Sequence, residues 1–212
     1  AALADQQTGV RLDGIMLYSG HVTGNVDEQA HSFKASAVVT RELIDRMDQK
    51  GLCRDIISSG STPSAFQTHL LEIVTEFRPG TYVYNDLNIV RGRYCSLENC
   101  AAKIYSTVVS NAVSGQIVLD AGTKTLTSDL CGPAPDSGFG LIVEYPDARI
   151  DKLTEEHAQV DITECSDTPR IGDVVTVIPN HICPCVNLQN NFWLKREDNL
   201  ESHVVDTRGC VV

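Results

Sequence analysis

Apolar positions run along this chain in two different rhythms. Leu12 to Tyr18 (LDGIMLY) is a short apolar run stopped by Ser19-Gly20, the pattern of a buried strand. From about Ser36 to Gly51, Val38, Leu43, Ile44 and Met47 recur at helical spacing, and Gly51 stands where a helix-ending glycine belongs. Asp55-Ile56-Ile57-Ser58 predicts a second buried strand, ended by Ser59-Gly60-Ser61-Thr62-Pro63. A shorter helix, a strand over Ile73–Phe77 and the turn Arg78-Pro79-Gly80 complete the series. Strand, helix, strand, short helix, strand is the rhythm of parallel βαβ units.

The second rhythm begins near residue 95. Lys103–Val109, Gly115–Leu119, Gly140–Glu144 and Val174–Ile178 are β-rich, separated by turns containing Gly, Pro and Asp. The expected organisation is an α/β part over 1–95 and a β part over 96–212. Three parallel strands are too few for an independent barrel. The first part therefore reads as a small open layer or the later strands of a barrel.

Composition narrows the class. With 42% hydrophobic and 21% charged residues the chain is an ordinary globular sequence, and 212 residues can bury a real core. A net charge of −11 with no basic stripe argues against nucleic acid as a partner. No apolar run approaches the roughly 20 residues that span a bilayer, so no membrane partner is expected. No signal-peptide pattern opens the sequence, which starts at Ala1 and reads as processed, trimmed or excerpted. The eight cysteines are irregularly spaced and read as reduced, mostly buried thiols of a cytoplasmic protein. Cys95 and Cys100 are a candidate disulfide pair.

The chemistry concentrates in Gly172–Leu188 (GDVVTVIPNHICPCVNL). If the backbone stays extended past Pro179-Asn180, His181 and Cys183 point to one face. An imidazole and a thiolate suit a borderline-soft divalent metal. No second CxxC or HxxxH completes a cage, so a bound ion would keep open positions, as catalytic ions do. The ordinary alternative is a buried cysteine beside a satisfied histidine, and Cys185 is a competing thiol.

Two loops follow successive strands. Gly60, Ser61 and Thr62 offer small residues and hydroxyls for an anion such as phosphate, or a simple helix cap at Ser61 or Thr62 with Pro63 in the first turn. Gly80 and Thr81 offer a second set of donors, or an ordinary turn. Ligands of α/β sheets bind at such carboxyl ends. Tyr18 ends the first strand on the same edge and could stack on a bound ring or close the core. Thr154-Glu155-Glu156-His157 reads as an acidic solvated turn, and Asp120–Lys124 as a loop held by structural hydrogen bonds.

YSGH, SSGSTPS, TEFRPGTYVYND, LDAGTKTLTSD, Glu144-Tyr145-Pro146, LTEEHAQV, the PNHIC segment and Asp206-Thr207-Arg208-Gly209, in this order, resemble the D-threonine aldolase and D-serine dehydratase family. These are fold-type III pyridoxal-phosphate enzymes. The resemblance implies an α/β plus β fold: the C-terminal part of an alanine-racemase-like TIM barrel that binds pyridoxal phosphate, followed by a β-rich domain. It implies that Gly60, Ser61, Thr62, Gly80 and Thr81 hold the cofactor phosphate, with Tyr18 near the pyridine ring. It implies that His181 and Cys183 bind one divalent metal, zinc first, with manganese or magnesium as alternatives. The implied activity is that of a lyase on a D-β-hydroxy amino acid, in a cytoplasmic homodimer. A Cys ligand leans towards the dehydratase branch, since the aldolase branch often has a carboxylate there.

One departure is serious. The family forms a Schiff base with a lysine on the first barrel strand. The six lysines here, at 34, 50, 103, 124, 152 and 195, occupy no such position. Lys34 precedes the predicted helix, and Lys152 and Lys195 fall in charged stretches expected to be turns. The chain therefore reads as the C-terminal portion of such an enzyme, its catalytic lysine absent. The alternative is a non-catalytic metal- or phosphate-binding module derived from the family.

Overall fold

The computed structural model describes residues 1–20 and 26–210. Packing divides the chain into two units, Ala1–Tyr82 with Gly92–Tyr94, and Val83–Arg91 with Cys95–Val212. Residues 83–91 thus pack with the second unit, although the change of rhythm in the sequence comes later.

In the first unit a short helical turn, α1 (Ala2–Asp5), precedes β1 (Gly14–Met16), α2 (Gln29–Gln49), β2 (Ile56–Ser59) and β3 (Glu76–Phe77). The strands form one parallel sheet in the order β1-β2-β3. The helix is longer than its apolar spacing suggested. It begins at Gln29, and its buried seam runs through Phe33, Thr40, Ile44 and Met47. Val38 and Leu43, read as part of that seam, are exposed. Extending the helix upstream takes the core face through Phe33, which rotates those two away. Gly51 follows the helix with φ +62°, a backbone that favours glycine. Ile44 and Met47 pack on Ile57 with Ile15 and Leu17, covering one face of the sheet.

The helix expected after Pro63 does not form. Successive turns run to a 3₁₀ segment at Thr68–Leu70. Ser64 Oγ accepts the Ser61 N–H and donates to its carbonyl, while Thr68 Oγ donates to the Ser64 carbonyl. Such local side-chain bonds compete with α-helical pairing.

The second unit begins with α3 (Leu87–Arg91). It continues through β4 (Ile104–Ser110), β5 (Gln116–Leu119), α4 (Thr123–Leu126), β6 (Leu141–Ile142), β7 (Arg149–Leu153), β8 (Ala158–Asp161) and β9 (Val174–Ile178). Then come α5 (Ile182–Leu188) and a ribbon of β10 (Asn191–Arg196) and β11 (Asn199–Val204). The sheet order β6-β9-β4-β5-β8-β7 is antiparallel throughout. Phe139 N–H donates to the Ile150 carbonyl at 3.1 Å, bringing the start of β6 to β7 and curling the sheet into a barrel-like form. Inside it lie Val108, Ile117, Leu119, Ile142, Ile150, Val160, Val175 and Val177, the inward positions of alternating strands. Asp120 is the structural loop residue expected of it: its carboxylate accepts from Ser106 Oγ and the Thr107 N–H, both at 2.7 Å.

No helix among the described residues is long and apolar enough to cross a membrane. All eight cysteines are free thiols, Cys95 and Cys100 included. Lys34 lies inside α2, and Lys152 and Lys195 lie in β7 and β10 rather than in turns, because their neighbours alternate as strand residues do. No lysine occupies β1, β2 or β3.

Candidate metal and cofactor sites

The β-branched run Val174–Ile178 forms β9, a central strand of the sheet, and Pro179 ends it by removing a ladder donor. The backbone does not then stay extended. His181 (φ −138°, ψ 106°) is the cap residue of α5, and Cys183 lies in that helix's first turn. The same-face argument for an extended HxC therefore does not apply. Pro184 explains the change, since a proline in the first helical turn forfeits only an N–H that has no intrahelical acceptor.

His181 and Cys183 nevertheless meet. The Cys183 side chain hydrogen-bonds the imidazole, and Asp129 Oδ2 lies 2.7 Å from Nδ1. The Cys183 contact, followed by Asp129, raises the histidine to about 9 against the opposing effect of burial. The ring and the carboxylate are both half-exposed, 40% and 46%. Cys185 does not compete: it is buried, its thiol donates to the carbonyls of His181 and Leu126, and burial pushes it up to about 12.

The segment around this pair is clamped. Leu87 and Asn88 N–H groups donate to the carbonyls of Pro179 and Asn180. Asp86, 1% exposed, accepts from the Ile182 N–H at 3.0 Å and the Ile89 N–H at 3.1 Å. Burial raises its carboxyl despite those bonds. The side chain of Asn180, fully buried, donates to the carbonyls of Asp129 (2.9 Å) and Gly138 (2.7 Å). Asp86, Asp129 and Asn180 were not singled out from the sequence. Asp129 stands 52 positions before His181, and a lone Asp in TLTSD carries no spacing signal.

Among the described residues no group of three or more His, Cys, Asp or Glu side chains gathers into a cage. The set present, an imidazole and a thiol with a carboxylate behind the ring, suits a borderline-soft divalent ion with open positions.

In the first unit, Tyr82 N–H donates to Thr62 Oγ at 3.0 Å, which brings the Gly60–Thr62 and Gly80–Thr81 loops side by side beyond β2 and β3. Gly60 has its own structural reason: φ is +93°, and a Cβ there would overlap the Phe77 ring. A Cβ at Gly80 would meet nothing. The Ser61 N–H is used within its turn by Ser64 Oγ, so its hydroxyl and backbone are tied locally. The buried Ser59 hydroxyl has no partner. Hydroxyls and loop backbone at two adjoining strand ends fit a phosphate group. Tyr18 is 73% exposed, leaving its ring open to stack, while His21 of the same motif lies outside the described residues. Arg78, which the sequence presents only as part of a turn, donates to Ser58 Oγ and the Leu17 carbonyl, both at 2.7 Å, and so ties the three strand ends.

The family profile described as "Putative serine dehydratase domain" matches residues 101–194. An uncharacterized protein of Mycobacterium tuberculosis is 39% identical over 110 residues, 50% of this chain and 81% of that protein. D-threonine aldolase of Arthrobacter sp is 26% identical over 208 residues, covering 94% of this chain and 53% of the aldolase. The chain belongs to the D-threonine aldolase and D-serine dehydratase family.

D-threonine aldolase from Filomicrobium marinum superposes with a TM-score of 0.79 at 25% identity, covering 100% of this chain and 57% of the aldolase. An alanine-racemase-like protein of Idiomarina loihiensis superposes at 0.78 and 19% identity, over 89% of this chain and 54% of the other. The fold is therefore the alanine-racemase-like one of this family. The chain spans about half the length of the aldolase and dehydratase relatives it matches.

Proposed function

We propose that the protein carrying this chain is a pyridoxal-phosphate- and divalent-metal-dependent lyase acting on a D-β-hydroxy amino acid, of dehydratase type. One observation carries the reading: His181 and Cys183 meet on a clamped turn, in a chain of this family. The names of its relatives support the substrate class. They include D-threo-3-hydroxyaspartate dehydratase of Delftia, D-serine dehydratase of Dictyostelium discoideum and 3-hydroxy-D-aspartate aldolase of Paracoccus denitrificans. Two structures of the Delftia dehydratase are of variants with a histidine, and a cysteine two positions further on, replaced by alanine. The cysteine variant is described as metal-free. That spacing matches His181 and Cys183, and it favours the dehydratase branch.

Pyridoxal phosphate supplies an electron sink for charge at the substrate α-carbon, and the divalent ion, zinc in the first instance, a Lewis acid for the β-oxygen. His181 and Cys183, both reachable by solvent, would hold that ion. Gly60, Ser61, Thr62, Gly80 and Thr81 would hold the phosphate, with Tyr18 against the pyridine ring. Arg78 would keep the strand ends in register beneath them.

The test uses the full gene product with pyridoxal phosphate and zinc or manganese. D-serine, D-threonine and D-threo-3-hydroxyaspartate are each assayed for keto acid with ammonia, and for glycine with aldehyde. Keto acid and ammonia are expected. His181→Ala should remove stoichiometric metal and lower kcat by about a hundredfold or more. No product from any substrate, with the cofactor bound, would sink the lyase reading.

A further inference from the structure

A histidine serves as a metal ligand only when its coordinating nitrogen carries a lone pair, and the bond made by the other nitrogen decides which one that is. Here Nδ1 faces Asp129 Oδ2 at 2.7 Å. The ring of the neutral histidine must donate from Nδ1, because a carboxylate only accepts. The arrangement is tied twice. Asn180, the residue immediately before His181, is fully buried and donates its amide to the Asp129 carbonyl at 2.9 Å and to the Gly138 carbonyl at 2.7 Å. Backbone and side chain of Asp129 are thus each bonded to consecutive residues of the PNHIC segment. On the other side Asp86 holds the Ile182 N–H at 3.0 Å.

We infer that Asp129 is a positioning residue: it holds His181 in the Nδ1–H tautomer, leaving Nε2 as the metal-binding nitrogen, and Asn180 sets the loop from which it acts. The inference rests on the proposed metal reading of His181 and Cys183. A carboxylate bonded behind a ligating imidazole orients the ring and raises its basicity, and its loss commonly weakens metal binding by about 10–100-fold. Asp129 needs no contact with the ion to do this.

Two measurements on the same proteins test it. Zinc affinity is read by competition with a chromogenic chelator, and long-range ¹H–¹⁵N spectra of the metal-free protein, recorded on the unprotonated ring, report the His181 tautomer. The unaltered protein should show Nδ1–H. Asp129→Ala should shift the ring towards Nε2–H and raise the zinc dissociation constant by about 10–100-fold. Asp129→Asn, whose amide oxygen can accept the same bond, should keep Nδ1–H and stay within about tenfold of the unaltered protein. Because Asp129 is half-exposed, both variants should remain folded, with a single cooperative thermal transition. An Nε2–H ring in the unaltered protein, or an unchanged tautomer and affinity in Asp129→Ala, would overturn the inference. The failure of the underlying reading looks different: His181→Ala would then bind zinc as tightly as the unaltered protein. The tautomer, measured without metal, still decides the role of Asp129 in that case.

Discussion

An imidazole with a thiol on one side and a carboxylate on the other is driven towards its charged form, and His181 is raised to about 9 for that reason. The ordinary value is 6.5, so the folded protein holds this proton more tightly than the unfolded chain. The stabilisation is fully present below about 6.5 and is lost as pH rises through about 9. Chemical denaturation in the presence of chelator, at pH values on either side of that window, should show it. The margin of the unaltered protein over His181→Ala should shrink at the alkaline end. An equal margin at both ends would remove the electrostatic account of this pair. Glycine 60 makes a second point about single residues. The Gly60→Ala side chain meets Phe77 at a left-handed φ, so it should cost about 1–3 kcal/mol in chemical denaturation. Gly80→Ala has open space and should stay within about 0.5 kcal/mol. Residue types legible in the sequence as phosphate-binding thus separate in the structure. One glycine is required by packing, whereas the other is free to answer to a ligand.

At the scale of elements, the clamp around α5 decides where the His181–Cys183 pair stands. Asp86 is almost fully buried and satisfies one N–H from each of α3 and α5. Asp86→Ala would leave the Ile182 N–H buried without an acceptor, at about 1–3 kcal/mol, whereas the Ile89 N–H keeps the Asp86 main-chain carbonyl at 3.1 Å. Loss of about 1–3 kcal/mol, read by urea denaturation, is the expected result. Asp86→Asn, which can keep one acceptor in place, should lose less. Burial raises this carboxyl, so acidification protonates it more readily in the folded protein than in the unfolded chain. Its contribution to stability therefore rises as pH falls, the reverse of a typical paired carboxylate. The strand β9 was readable because a run of valine and isoleucine ends at a proline. The helix after it was not, since HICPC carries no helical periodicity and its start depends on Asp86, nearly a hundred residues away in sequence. For α2 the reverse holds: the helix was legible, but which face it buries depended on Phe33, upstream of the recognised pattern.

At the scale of the molecule, the two units bury their strands very differently, and this has a measurable consequence. The β-rich unit encloses one continuous core, with Val108, Ile117, Leu119, Ile150, Val160 and Val177 almost wholly excluded from solvent. The first unit has three short parallel strands, and Met16 and Tyr18 at the β1 edge are largely exposed. Parallel sheets ordinarily need cover on both faces. An antiparallel sheet is specified largely by its own strands and turns. A parallel sheet depends on neighbours that its own strands do not encode. Local opening free energy follows buried apolar contact, so the units should differ in hydrogen exchange. Amides of Ile117, Val160, Val175 and Val177 should exchange at least about tenfold more slowly than those of Ile15, Ile57 and Phe77. Native-state exchange followed by mass spectrometry or NMR measures this directly. Equal protection in both sets would mean that the sheet of the first unit is as firmly held as the β-barrel core, contrary to what its open edge implies.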